Sequence, residues 1–373
     1  MNTPHIQGRG AVSNPANRFE KMAYQPDEFA DDPELPSAKT EFFRDTSKSV
    51  ISTNDSPDIG FSASLNPYRG CEHGCIYCYA RPTHEYFELS AGLDFESKIF
   101  VKEEAPQLLR KELAGKKWKP QVLVMSGVTD CYQPIERKIR LTRRCLEVLL
   151  EFRNPAAIIT KNRLITRDID LLKQMAEYEG IQANISVTTL DAHLARVMEP
   201  RASSPDHRLA AIAQLAQAGI PVNVMVAPII PGLTDHEIPA IVKKCAEAGA
   251  LSAGYVVLRL PFAVKDLFEE WLKTHFPDRK DKVLNRIKAI RGGKLNDPRF
   301  GHRMSGEGIF ADQIHALFET ACRKVGFPKR RINLSTTSFR NPYQQHQLFF
   351  KQFLWLLVPH FLFLYSRVQY FLQ

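Results

Sequence analysis

The sequence predicts an α/β protein built from six strand–helix units. Three observations carry this. Short apolar runs rich in β-formers recur at 121–127, 156–161, 183–189, 221–228 and 254–260, and one more strand just before Cys71 makes six. Segments with helical period fill the gaps at 140–153, 166–178, 207–218 and 236–249, several of them opened by Thr or Asp in cap-like positions. The spacing between strand starts is about one βα unit each time.

The runs are near-continuously apolar, as strands covered on both faces are. The motifs AGI and AGA before the last two strands supply glycine helix stops. Six such units fit either a doubly wound sheet or an open, incomplete barrel, and periodicity does not separate the two. In both, reactive residues belong at the carboxyl ends of the strands. Polar residues cluster there at 126–130, 160–162 and 186–191, together with Ala227-Pro228 and the cysteine loop after the first strand. All of these converge on one rim.

The flanks read differently. Residues 1–55 are rich in Pro, Asp, Ser and Asn and read as an extended or disordered leader. Residues 262–325 read as helical, with one helix in FPDRKDKVLNRIKAIRGG ending at Gly292-Gly293, and INLSTTSF reads as a short strand. The apolar run at 353–365 is broken by Pro359-His360 and falls short of the roughly 20 residues a spanning helix needs, so no membrane span is expected.

A chain of 373 residues suggests one large or two ordinary domains, since single cores stop growing near roughly 250–300 residues. A composition of 44% hydrophobic and 24% charged residues excludes a fibre or a generally disordered chain. The net charge of +9 favours anionic partners such as nucleic acid or nucleotides, although no Lys/Arg block is long enough to be a binding arm. Seven cysteines, three clustered and four scattered, do not form a disulfide framework. With a polar N-terminus lacking an apolar signal segment, the expected location is the reducing cytoplasm.

The cluster is GCEHGCIYCY, with Cys71, Cys75 and Cys78 in C-x3-C-x2-C spacing. Thiolates select soft or borderline metals. A structural zinc site wants four closed ligands, and the only nearby fourth donors are His73, strained inside the loop, and His84. An iron-sulfur cluster of the 4Fe-4S type on three cysteines leaves one iron without a protein ligand. A small chelating molecule could bind there and receive an electron.

CEHGCIYC resembles the signature of the radical S-adenosylmethionine (SAM) superfamily. NPYRGCEHGCIYCYARPTHEY, SGVTDCYQPIERKIRLTRRCLEVL, IITKN, ISVTTLDAHLARVMEPRASSPDHRLAAI and APIIPGLTD resemble its spore photoproduct lyase-like branch, within it a group of uncharacterised bacterial proteins. The resemblance runs from about Gly8 to Asn341. It implies a partial (β/α)6 TIM-type barrel: a leader at 1–55, a radical SAM core at 56–262, a helical C-terminal extension at 263–347, and an apolar tail of doubtful origin at 348–373.

It further implies a 4Fe-4S cluster on Cys71, Cys75 and Cys78, with SAM chelating the open iron and being cleaved on reduction to methionine and a 5'-deoxyadenosyl radical. Tyr77 then lies near the adenine, and Gly127 and Thr129 belong to the glycine-containing motif that meets the SAM amino group. Lys161, Ser186 and Thr188 contact carboxylate and ribose, Arg196 or Arg208 reaches the carboxylate, and Pro228 marks the backbone contact at the fifth strand. Asp130 and Cys131 are the substrate-side candidates, Cys131 as a hydrogen donor or else as a buried structural thiol. An electron donor of flavodoxin or ferredoxin type is implied. The expected substrate is a nucleic acid or nucleotide, set against a protein or metabolite substrate and against a non-catalytic metal-binding protein.

Overall fold

The computed structural model describes residues 6, 8–19, 39–328 and 332–343. Among the described residues ten strands are present: β1 (Glu41–Arg44), β2 (Ile51–Thr53), β3 (Ala63–Leu65), β4 (Tyr68–Arg69), β5 (Lys98–Val101), β6 (Leu123–Met125), β7 (Ala156–Thr160), β8 (Ile181–Ser186), β9 (Val222–Ile229) and β10 (Ser252–Val257). Seven of them form one sheet in the order β10-β9-β8-β7-β6-β3-β2. From β3 to β10 every pairing is parallel, and β2 adds an antiparallel edge on β3.

This order decides between the two architectures that periodicity left open. A doubly wound sheet reverses its strand order at a switch point. Here six parallel strands follow one another in chain order, as in barrel winding, while β2 and β10 remain separate edges. The fold is an open, partial (β/α)6 barrel. The six parallel strands are the six expected ones, β3 being the one before Cys71.

The helices that return between strands pack one face on the sheet. Leu141–Phe152 buries Leu141, Cys145, Leu149 and Phe152, the spacing of an apolar helical stripe. Ile238–Glu247 buries Ile238, Ile241, Val242 and Cys245 in the same way. Several elements begin right at the rim. Asn162 caps Arg163–Asp168, Asp191 caps Ala192–Met198, and Ser204 caps Pro205–Gln217, each accepting hydrogen bonds from orphan backbone N–H groups. The segment expected as one helix at 166–178 divides into a 3-10 turn, Arg163–Asp168, and an α-helix, Ile169–Ala176.

On the flanks one expectation is made more specific and one is corrected. The leader contains two ordered strands: β1 pairs in parallel with β5, and β2 pairs with β3. INLSTTSF forms no strand, because one backbone bond, from Ser335 N–H to the Glu179 carbonyl, is too little for a ladder. The apolar run at 353–365 and the whole tail at 348–373 lie outside the described residues. Among the described residues no helix is long and apolar enough to cross a membrane.

The C-terminal extension contributes Val264–His275, Pro277–Ala289 and Ile309–Lys324. The first packs Phe268, Trp271 and Leu272 into a core shared with Ile76, Tyr77, Met198 and Leu260, so the extension backs the cysteine loop. The connection at 290–308 spans the open side of the barrel. Arg291, fully buried, donates to the Val257, Leu258 and His302 carbonyls, and Val257 N–H donates to the Met304 carbonyl. From the other edge, Asp58 accepts from Gly301 N–H (2.7 Å) and Arg303 Nε (2.6 Å).

Ile158, on the central strand β7, is fully enclosed in the main core. Ile158→Ala is expected to lower unfolding stability by about 2–5 kcal/mol, read as a shifted midpoint in urea denaturation; a shift under about 1 kcal/mol would contradict the packing described.

Candidate active site at the strand ends

The cysteine loop leaves the short β4 through two positions that only glycine suits. Gly70 and Gly74 have φ of +77° and +66°, and a Cβ on Gly74 would sit 2.7 Å from the Glu96 carboxylate. The loop is then pinned from beneath by Arg81, which is fully buried. Its guanidinium donates to the carbonyls of Gly74 (3.3 Å), Cys75 (3.0 Å), Ala91 (3.2 Å) and Gly92 (2.9 Å), and pairs with Glu96. Glu96 also accepts from Gly10 N–H (3.0 Å) and Ala11 N–H (2.8 Å), so the leader closes over the pair.

The loop presents three free thiols, Cys71 and Cys75 buried and Cys78 half-buried. Burial pushes all three thiols up. No other cysteine joins them. Cys131, Cys145 and Cys245 are enclosed in the core, and Cys322 packs at its margin. His73 uses both ring nitrogens, Nδ1 toward Asp130 (3.3 Å) and Nε2 toward Asn162 (3.2 Å). His84 places Nε2 on the Lys98 carbonyl (2.8 Å), and burial lowers its pKa to about 4. Among the described residues no three His, Cys, Asp or Glu side chains are grouped to hold one metal ion. A cubane takes its thiolates on different irons, and three thiols on one short loop fit that donor set.

Beside the loop, side chains from the loop itself, from the ends of β7 and β8 and from the helix Pro205–Gln217 meet at a residue that sequence reasoning did not single out, Glu199. It is fully buried and accepts from Tyr77 Oη, from Thr188 Oγ1 (2.8 Å) and from the Arg208 guanidinium. Lys161 Nζ lies 3.9 Å away and donates to the Ala227 carbonyl (3.4 Å), next to Pro228. Arg208 also donates to the carbonyls of Ser186 (3.0 Å) and Ser203 (2.7 Å). Tyr77, Lys161, Ser186, Thr188 and Ala227-Pro228 are therefore brought together. Arg196 is not: it is exposed on the outer face of Ala192–Met198, and Arg208 occupies the place for which both had been considered.

The turn after β6 is held by Asn66, whose Oδ1 accepts from Val128 N–H (2.9 Å). Gly127 packs against Ser64, where a Cβ would meet side-chain carbon at 3.2 Å, and its carbonyl accepts from Tyr79 Oη (2.6 Å). Thr129 donates to the Tyr68 carbonyl (3.0 Å), which ties this turn to the cysteine loop's stem. Asp130 accepts from Thr160 Oγ1 (2.8 Å) and Lys161 N–H (2.8 Å). Burial alone would raise its pKa, but His73 and the backbone donors outweigh this and hold it below the usual carboxylate range. Cys131 faces away from the rim, wholly enclosed in the main core, the placement of a structural thiol.

Residues 65–245 match the radical SAM superfamily. An uncharacterized protein of Mycobacterium tuberculosis is 34% identical over 222 residues, 59% of this chain and 65% of its own length, so the match spans just under two thirds of that relative. An uncharacterized protein of Methanocaldococcus jannaschii is 29% identical over 256 residues, 68% of this chain and 91% of its own length. Among solved structures, a spore photoproduct lyase variant with bound AdoMet and dinucleoside spore photoproduct superposes with a TM-score of 0.53 over 76% of this chain and 78% of that one, at 16% identity. That likeness is one of fold. With the strand order, the three-thiol loop and the sequence match in agreement, residues 65–245 of this chain are a radical SAM domain carried on the fold of spore photoproduct lyase.

Proposed function

We propose that the chain is a radical SAM enzyme that holds a 4Fe-4S cluster on Cys71, Cys75 and Cys78 and acts on a nucleotide or nucleic-acid substrate. The observation that carries this reading is the donor set: three thiols on one pinned loop at the mouth of an open barrel, with no fourth cysteine near. When bound, the cluster and SAM would supply a 5'-deoxyadenosyl radical for hydrogen abstraction, after reduction by a flavodoxin- or ferredoxin-type donor.

The chain's own residues hold and enclose. Arg81 and Glu96 fix the loop's backbone, so that the thiols meet their ligand preorganised. Glu199 acts as a clamp: Tyr77, Thr188, Arg208 and Lys161 all lean on one carboxylate, which sets their directions before any cofactor arrives. Lys161 keeps an ammonium 15% exposed at the rim, suited to a SAM carboxylate, and Tyr77 offers its ring beside Cys78. Ile76, Leu194, Met198 and Leu260 line the wall behind and keep water from the reacting centre. The basic balance of the chain favours an anionic substrate over a neutral metabolite.

Anaerobically purified and reconstituted protein is expected to contain about four iron and four sulfide per chain and to release 5'-deoxyadenosine from SAM under reducing conditions. Cys71→Ala, Cys75→Ala and Cys78→Ala should each abolish that release, whereas Cys131→Ala should leave it intact. One zinc per chain without sulfide, or undiminished release by the Cys71 variant, would end the proposal.

Glu199 also makes a prediction about pH. Burial alone would raise its pKa, yet Arg208, Lys161 and the Tyr77 hydroxyl lower it from 4.5 to about 2. A depressed carboxylate contributes stability that is present above about pH 4.5 and is lost as pH falls toward 2. The shift corresponds to about 3 kcal/mol. Glu199→Gln should therefore be less stable than the parent by roughly that amount at pH 7, with the gap narrowing below pH 4 in denaturant titrations; a gap independent of pH would contradict the clamp.

A further inference from the structure

The open side of the barrel carries a cluster of guanidinium groups that the cofactor site does not use. Arg259 follows β10 and reaches the mouth of the barrel, half-buried, between Tyr79 and the 290–308 connection. Its guanidinium stands 5.5 Å from the Tyr79 ring centroid, and among the described residues its hydrogen-bond contact is Met304 Sδ at 3.8 Å. No carboxylate lies within ion-pair distance among the described residues, and its buried Nε has no hydrogen-bond partner. A buried guanidinium N–H left without an acceptor is expensive.

The surroundings deepen the deficit. Arg303 and Arg291 both bear on Arg259 electrostatically, and the pKa of Arg259 is lowered, first by its burial and then by Arg303. The acid within reach, Asp58, is already committed to Arg303 and to Gly301 N–H. Two exposed aromatic rings accompany these cations: Tyr79, 49% exposed, just after Cys78 and beside Arg259, and Phe300, 57% exposed, with Arg303 4.5 Å above its ring centroid. Tyr79 donates to Gly127 O, so this cluster opens directly onto the proposed SAM motif.

We infer that Arg259, supported by Arg303, is a phosphate-binding subsite for the substrate, with Tyr79 and Phe300 as faces on which its bases stack. Guanidinium forks match phosphate oxygens, and aromatic rings between cations are the surface that unpaired nucleotides use. The ligand is a nucleotide phosphate, either free or within a single strand. This rests on the radical SAM reading only for the identity of the neighbouring site.

The test is fluorescence or calorimetric titration of the full-length protein, anaerobic and with its cluster reconstituted, using thymidine monophosphate in one arm and a short oligothymidylate in the other. The parent should bind at least one of them, more weakly as salt rises. Arg259→Gln should weaken that binding about tenfold or more, and for the oligonucleotide should reduce the slope of log affinity against log salt by about one. Binding to thymidine monophosphate alone identifies a free nucleotide, and tighter oligonucleotide binding identifies a strand. Arg259→Gln binding within about twofold of the parent overturns the inference, as does a parent that binds neither probe. If Arg259→Gln does not fold by circular dichroism, Arg259→Lys decides, a loss of about threefold or more supporting the subsite and an unchanged affinity overturning it. Iron content and 5'-deoxyadenosine release, measured on the same samples, report separately on the radical SAM reading.

Discussion

The buried ion pair between Arg81 and Glu96 is the constraint on which the site depends. A loop that turns through two left-handed glycines within five residues has little intrinsic reason to hold one shape, since glycine is the residue with most backbone freedom to lose. Arg81 removes that freedom by occupying four backbone carbonyls, two of them at Gly74 and Cys75 within the loop. Buried ion pairs are poor evidence of stability in themselves, because desolvation offsets the attraction. What distinguishes this one is saturation. Glu96 spends its remaining acceptor capacity on Gly10 and Ala11, so the pair specifies a geometry more than it adds free energy, and it makes the N-terminal leader part of the site.

Winding in chain order supplies the second constraint. Because β3, β6, β7, β8, β9 and β10 follow one another in the sheet without reversal, their carboxyl ends lie in sequence around one opening, and residues far apart in the chain become neighbours. Tyr77 and Glu199 are 122 positions apart and share a hydrogen bond. The helices begin where the strands end, so Asn162, Asp191 and Ser204 serve as caps and rim residues at once. Local helix initiation and the shape of the site are therefore one requirement.

Much of this was legible in the sequence, for reasons that can be stated. Strands β6 to β10 coincide with short apolar runs rich in β-formers, a signal that needs no knowledge of partners. The choice between a doubly wound sheet and a barrel was not legible from periodicity, because strand order is a long-range property to which period is blind. Strand β1 escaped because all four of its residues are exposed and lie in a polar context, leaving no alternation to read. The cysteine loop announced itself through spacing. Glu199 did not, since a lone Glu before Pro usually marks a solvated turn. Arg196 could have been set aside: Leu194, Ala195 and Met198 are the buried face of its helix, and helical period turns position 196 outward.

Charge shows how composition becomes location. The net charge of +9 names a class of partner without placing it. Within the strand-end site the two cations Arg208 and Lys161 share the Glu199 carboxylate, and Asp130 lies beside His73, so carboxylates answer the positive charge there. Along the open side the balance fails: Arg259 and Arg291 find carbonyls, sulfur and aromatic faces but no carboxylate within ion-pair distance among the described residues. Low local dielectric and mutual repulsion make such a cluster costly to fold. An anion that arrives there relieves the repulsion and supplies the missing acceptors together, and this places the excess positive charge beside the lateral opening of the barrel, where a substrate could reach the thiol-bearing loop.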